Sequence, residues 1–168
     1  TSKELYLGSY EVKEITAPYG MVLNDEIHSV ELIYAGQEVA VTETSTSFYN
    51  ERQKVEIDLT KSLEVDEDYG VGNNGEIFDV SFGLYAAEEL TAADGTTIPA
   101  DGLIEVITLD ENGHGKAVSD LPMGSYYVQE INTNAAYLKN ETKYPVVFEY
   151  AGQETAVVSI TANEGEAI

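Results

Sequence analysis

The chain carries one stretch twice. Gly8-Ser9-Tyr10-Glu11-Val12-Lys13-Glu14 returns 116 residues later as Gly124-Ser125-Tyr126-Tyr127-Val128-Gln129-Glu130. Tyr, Val and Glu recur at alternate positions, while the residues between them change from Glu11 and Lys13 to Tyr127 and Gln129. A strand points successive side chains to opposite faces, so one face is held constant and the other varies, as in a half-buried strand. The offset persists downstream. Asn24 falls on Asn140, and Val30, Leu32 and Tyr34 fall on Val146, Phe148 and Tyr150. Tyr34-Ala35-Gly36-Gln37-Glu38 recurs unchanged as Tyr150-Ala151-Gly152-Gln153-Glu154. The period is that of a domain, too long for a solenoid repeat.

Two charged residues sit where alternation asks for apolar ones. Leu121-Pro122-Met123-Gly124 reads as a turn leading into a strand. That strand places Tyr126, Val128 and Glu130 on one face, and Tyr127, Gln129 and Ile131 on the other. Taken alone, Glu130 reads as a solvated strand end. Residues 54–63 alternate strictly, with Val55, Ile57, Leu59, Lys61 and Leu63 on one face and Glu56, Asp58, Thr60 and Ser62 on the other. Lysine is seldom buried without something to hold it. One reading of Lys61 is an inward charge that guards a sheet edge.

The remaining chain reads as short strands between turns, with no sustained helical period. Strands are predicted over residues 30–34, 80–85, 103–109, 146–150 and 155–163, with a further extended stretch over residues 39–50. Turns are predicted at residues 17–20, 35–38 and 110–113, and loops over 66–79, 88–102 and 132–142. The pattern predicts an all-β, antiparallel sandwich.

Composition narrows the function classes. With 31 acidic and 8 basic residues the net charge is −23, which disfavours nucleic acid and anionic membranes as partners. No run approaches the roughly 18 apolar residues of a membrane helix. There is no cysteine, hence no disulfide and no thiolate metal site. Asp66, Glu67, Asp68, Asn73 and Asn74 lack the spacing of an EF-hand loop, and neither a metal nor another cofactor is expected. His28 and His114 read as lying in polar, loop-like surroundings, so a turnover enzyme with a nucleophile–base pair is not expected.

Residues 54–168 resemble the collagen-adhesin B-type (Cna B-type, SpaA-like) domain of Gram-positive surface proteins and pilins. The features that carry the resemblance are Leu59-Thr60-Lys61, Phe82-Gly83-Leu84-Tyr85, Asp110-Glu111-Asn112-Gly113, Leu121-Pro122-x-Gly124-x-Tyr126-Tyr127-x-x-Glu130, and a last strand running into Asn163. Residues 1–53 look like the C-terminal half of the same domain. Their Tyr10-Glu11-Val12-Lys13-Glu14-Ile15-Thr16-Ala17-Pro18-Tyr19-Gly20 is nearer to the family's usual form than the second copy, which has Asn132-Thr133-Asn134-Ala135-Ala136 there.

The resemblance implies a reverse immunoglobulin-like, or prealbumin-like, sandwich. It also implies an intramolecular isopeptide bond, with Lys61 as the amine, Asn163 as the acceptor and Glu130 as the assisting acid. Desolvation favours the neutral forms of an amine and of a carboxyl group, which suits attack by one and proton transfer by the other. The alternative is an unlinked domain with a hydrogen-bonded lysine–glutamate pair. Simple alternation puts Asn163 on the face of Val157, Ser159 and Thr161, so a bulge is expected if Val158 and Ile160 face the core. The equivalents in the first piece are Glu14 and Asn50.

The function implied is that of a stalk segment of a cell-surface adhesin or pilin, extracellular and anchored to the cell wall, with neighbouring domains of the same protein as partners. A ligand-binding module for a host matrix protein or glycan is the alternative. Because the chain opens inside a repeat, it reads as a fragment of something longer. Residues 1–53 lack a facing sheet, and a homodimer through them, or packing on residues 54–168, is expected to cover it.

Overall fold

In the computed structural model, which describes residues 1–168, the chain forms eleven strands and two short 3-10 turns. They fall into two units, Thr1–Gln53 with Gly152–Ala156, and Lys54–Ala151 with Val157–Ile168.

The second unit is a two-sheet sandwich. Its strands are β3 (Lys54–Thr60), β4 (Ser81–Ala86), β5 (Leu90–Thr91), β6 (Thr97–Ile98), β7 (Leu103–Thr108), β8 (His114–Ala117), β9 (Gly124–Asn132), β10 (Tyr144–Phe148) and β11 (Val157–Thr161). In the first unit they are preceded by β1 (Gly8–Lys13) and β2 (Ile27–Leu32). One sheet has the order β10-β9-β4-β7, the other β11-β3-β8. The core lies between them. β3 contributes Val55, Ile57 and Leu59, and the larger sheet contributes Phe82, Leu84, Ile107, Tyr126, Val128, Val146 and Phe148. Each such side chain taken from water stabilises the fold by about 1.5–3 kcal/mol.

Three features differ from the sequence reading. The stretch 88–102, read as a loop, contains the β5–β6 hairpin, in which Leu90 faces Ile98. β8 was not legible, because His114-Gly115-Lys116-Ala117 contains no β-branched or aromatic aliphatic signal. Its glycine has a packing cause: a Cβ at Gly115 would lie 2.7 Å from Ile107 Cγ2 and 2.8 Å from Leu109 Cδ2. Finally, β11 pairs with β3 in parallel, Val157 opposite Lys54 and Thr161 opposite Asp58. The sandwich is therefore antiparallel except for this pair. With β8 on its other side, β3 is a central strand, so Lys61 does not guard an edge.

The first unit repeats part of this plan. β1 pairs with β2 in the register Gly8–Leu32, Tyr10–Val30, Val12–His28. β9 and β10 pair in the same register after the 116-residue shift, Gly124–Phe148, Tyr126–Val146, Val128–Tyr144. Residues 39–50, read as extended, form no strand. The reason is visible in the second unit, where the corresponding β11 has β3 as its sheet neighbour, and the first unit contains no such strand. Gln53, 2 % exposed, donates its amide to the carbonyls of Gly152 (2.9 Å) and Thr155 (2.7 Å). Gln153 accepts from the Ala17 N–H through its side chain (2.8 Å) and from the Leu23 N–H through its carbonyl (2.9 Å). The histidines read as loop residues lie in strands: His28 in β2, stacked on Phe48 with ring centres 4.2 Å apart, and His114 in β8.

Candidate functional site

Glu130 lies near the end of β9, on the face of Tyr126 and Val128, and is 2 % exposed. It is no solvated strand end. A carboxyl group removed from water needs partners for its oxygens. One is met by the backbone, since Oε2 accepts from the Asn140 N–H. The other, Oε1, accepts no hydrogen bond and lies 3.5 Å from Lys61 Nζ. The lysine is itself largely buried, with a side chain 11 % exposed.

Lys61 follows β3 directly, and its backbone is held from two directions. Its N–H donates to the Gly113 carbonyl at 2.8 Å. A Cβ at Gly113, where φ is +76°, would overlap the Lys61 carbonyl oxygen, so that turn must carry glycine. On either side of Lys61, the Ile168 N–H donates to the Thr60 carbonyl (2.8 Å) and the Ser62 N–H to the Ile168 carbonyl (3.0 Å). The end of the chain therefore runs beside the lysine.

Asn163 stands in this last segment. In β11, Val158 and Ile160 turn inward, and buried Ala162 continues their alternation. The strand then breaks into a 3-10 turn, Ala162–Gly165, in which Asn163 (φ 54°) and Glu164 (φ 55°) take left-handed backbone conformations. This turn, rather than a bulge within the strand, moves Asn163 out of the alternation. Its amide Nδ2 donates to the Glu166 carbonyl at 3.3 Å. The structure thus brings Lys61 and Glu130 together, and the Asn163 amide has a partner in the Glu166 carbonyl.

The first unit holds the complementary pair. Glu14 Oε2 accepts from the Asn24 N–H at 2.8 Å, as Glu130 does from Asn140. It also accepts from Asn50 Nδ2 at 2.6 Å, and the same amide donates to the Val22 carbonyl at 3.0 Å. Acid and asparagine are in contact there, with no lysine between them. Asn24 and Asn140 were not singled out as site residues from the sequence. The available signal was their identity across the repeat, within loops that otherwise diverge. No cluster of three or more His, Asp or Glu side chains is arranged to hold a metal ion.

The profile of the SpaA prealbumin-like fold domain matches residues 67–164. The chain belongs to this family. The matched span runs from the acidic loop after β3 into the final 3-10 turn, so it includes Glu130 and Asn163 of the SpaA domain. No curated protein matches the chain significantly. Among solved structures, the Bacillus anthracis TIE protein is similar over 94 % of this chain and 25 % of its own, at 26 % identity and a TM-score of 0.52. A backbone pilin of Streptococcus pyogenes is similar over 56 % of this chain and 16 % of its own, at 19 % identity and a TM-score of 0.35. The major pilin subunit of Bacillus cereus is similar over 66 % of this chain and 29 % of its own, at 18 % identity and a TM-score of 0.34. The chain spans a quarter of the TIE protein's length and less than a third of either pilin.

Proposed function

We propose that the chain is a structural segment of an extracellular Gram-positive surface protein or pilin, in which residues 54–168 form a complete SpaA domain and residues 1–53 the C-terminal half of another. Its chemistry is a single self-modification. Lys61 Nζ attacks the Asn163 side-chain carbonyl carbon, the new C–N bond forms, and the asparagine's amide nitrogen leaves as ammonia. The proton released by the amine passes through the Glu130 carboxyl to the departing nitrogen. The sandwich supplies proximity, so the step needs no cofactor.

The observation that carries this reading is the buried Lys61–Glu130 pair with one carboxyl oxygen lacking a hydrogen bond. A pair kept only for stability is a poor use of a core position, because desolvating both charges offsets most of their attraction. A pair that activates a nucleophile has a reason to be there. The 3-10 turn that carries Asn163 lies in the segment whose Ile168 is hydrogen-bonded on both sides of the lysine, which supports Asn163 as the acceptor. Tandem stacking with neighbouring domains and attachment to the cell wall belong to the same proposal.

Intact-mass spectrometry tests it. Folded protein is expected to weigh one ammonia less than its sequence, with a Lys61–Asn163 linked pair after digestion. Glu130→Ala is expected to fold and keep its full sequence mass. An unshifted mass in fully folded wild-type protein would remove the cross-link from the proposal.

A further inference from the structure

We infer that Asn140 is a positioning residue for Glu130, resting on the cross-linking step proposed above: its side chain aims the backbone N–H that holds Oε2, and so leaves Oε1 as the oxygen that moves protons. Asn140 lies in the loop between β9 and β10 and is half-buried. Both polar ends of its side chain are engaged. Oδ1 accepts from the Thr142 N–H at 2.9 Å, which closes an Asx turn on the local backbone. Nδ2 donates to the Tyr144 hydroxyl at 2.7 Å. Tyr144 stands on β10 opposite Val128, the residue of β9 on the same face as Glu130 and next to it there. The turn is thus tied to the strand pair that carries the carboxyl, and its Asn140 N–H donates to Glu130 Oε2.

The first unit makes the same arrangement with other neighbours. Asn24 Oδ1 accepts from the Glu26 N–H at 2.9 Å, its Nδ2 donates to the Tyr49 carbonyl at 2.8 Å, and its N–H donates to Glu14 Oε2 at 2.8 Å. Residues 16–23 and 132–139 match at no position, and neither do 25–26 and 141–142. A turn alone does not call for asparagine in two such different loops, since Asp, Ser and Thr close similar turns. Asparagine adds a donor beside the acceptor; aspartate has the acceptor only, and alanine has neither.

The consequence for the chemistry lies in the torsion of the carboxyl group. Rotation about the bond that carries it is broad and two-fold, so an unheld Glu130 would present either oxygen to Lys61. The Asn140 N–H gives a hydrogen bond to Oε2 and can take no proton from it. Oε1 is left facing the amine, 3.5 Å from Nζ and with no hydrogen bond of its own. The proton lost by Nζ is taken up at Oε1 and passed from Oε1 to the nitrogen that leaves as ammonia, while Oε2 stays bonded to Asn140.

The test reads the residue-140 amide and the linking rate in the whole chain. That amide is present in every variant, and NMR reports its hydrogen bond without any cross-link. In a Lys61→Met chain its proton resonance is expected to lie downfield and to move upfield on Glu130→Ala. Asn140→Ala is expected to move it the same way, and Asn140→Asp to move it less. Linking is followed as the loss of one ammonia with time after a pulse of cell-free synthesis, with Lys61 intact. Asn140→Ala is expected to slow it by about ten-fold or more. Asn140→Asp is expected to recover part of that loss. Tyr144→Phe, which leaves residue 140 intact and removes the same Nδ2 bond, is expected to match Asn140→Asp. An amide resonance that stays in place in Asn140→Ala would overturn the positioning role, and so would linking at the wild-type rate once the resonance has moved. A wild-type chain that never loses ammonia would overturn the cross-link, and the resonance in the Lys61→Met chain would still show whether the Asn140 side chain holds the N–H on Oε2.

Discussion

Tyr126 shows how a single side chain sets a pH limit. It is buried in the core, opposite Ala86 on the neighbouring strand, and its hydroxyl donates to the Pro122 carbonyl. Tyr10 makes the same reach to the Tyr6 carbonyl at 2.7 Å, so the repeat preserves even this bond. Burial, with a smaller push from the nearby Glu88 charge, raises the Tyr126 phenol from 10.0 to about 12. Below pH 10 the phenol is neutral whether the chain is folded or not, and its contribution to stability is complete. Above that, the unfolded chain ionises first, binds fewer protons than the folded one, and stability falls as pH rises toward 12. The loss amounts to about 2–3 kcal/mol. Urea melts between about pH 9 and 12 should show this slope and show it reduced in Tyr126→Phe. Tyr127, also raised chiefly by burial, accounts for a remainder. A slope identical in both proteins would mean that Tyr126 is not the group responsible. Residues such as Tyr126 and Glu130 were legible because alternation alone assigns them a face. Asn140 was not, since its backbone N–H rather than its side chain serves the site.

Strands were legible where Val, Ile and aromatic residues alternate, as in β3, β4 and β9. They were missed where two to four residues pair only because a neighbour is already in place, as in β5, β6 and β8. The parallel β3–β11 pair was invisible for a related reason. It joins residues a hundred positions apart, and no local pattern encodes which distant strand will be the partner. The turn at residues 152–156 is the converse case. Its verbatim repetition marked it, but the sequence did not say that Gln53 would grip it. Gln53→Ala would leave the carbonyls of Gly152 and Thr155 without their donor, at a cost of about 1–3 kcal/mol. Hydrogen exchange in residues 15–23 and 152–156 is expected to quicken by about ten-fold or more, with the core of β4 and β9 unaffected. Unchanged exchange around Gln153 would show that the turn is held by other contacts.

At the scale of the whole chain, the proposed cross-link changes what unfolding can release. A Lys61–Asn163 bond would close a loop of about a hundred residues, and by analogy with disulfides this restricts the unfolded chain by roughly 4–5 kcal/mol. Lys61→Ala is therefore expected to lower the melting temperature of the second unit by several degrees or more and to open it to proteases. Equal melting temperatures for the two proteins would count against the bond as a stabiliser. The parallel pairing of β3 with β11 gives that bond a further meaning under load. The second unit begins with β3 and ends just beyond β11, so tension applied to its two ends pulls these neighbours along their length in opposite directions. Their hydrogen bonds are then strained together instead of peeling one at a time. A covalent tie between Lys61 and Asn163 would carry the force across at that point, leaving the hundred residues between them outside the load path. Such a unit would transmit a pull with almost no extension, a property suited to a tether.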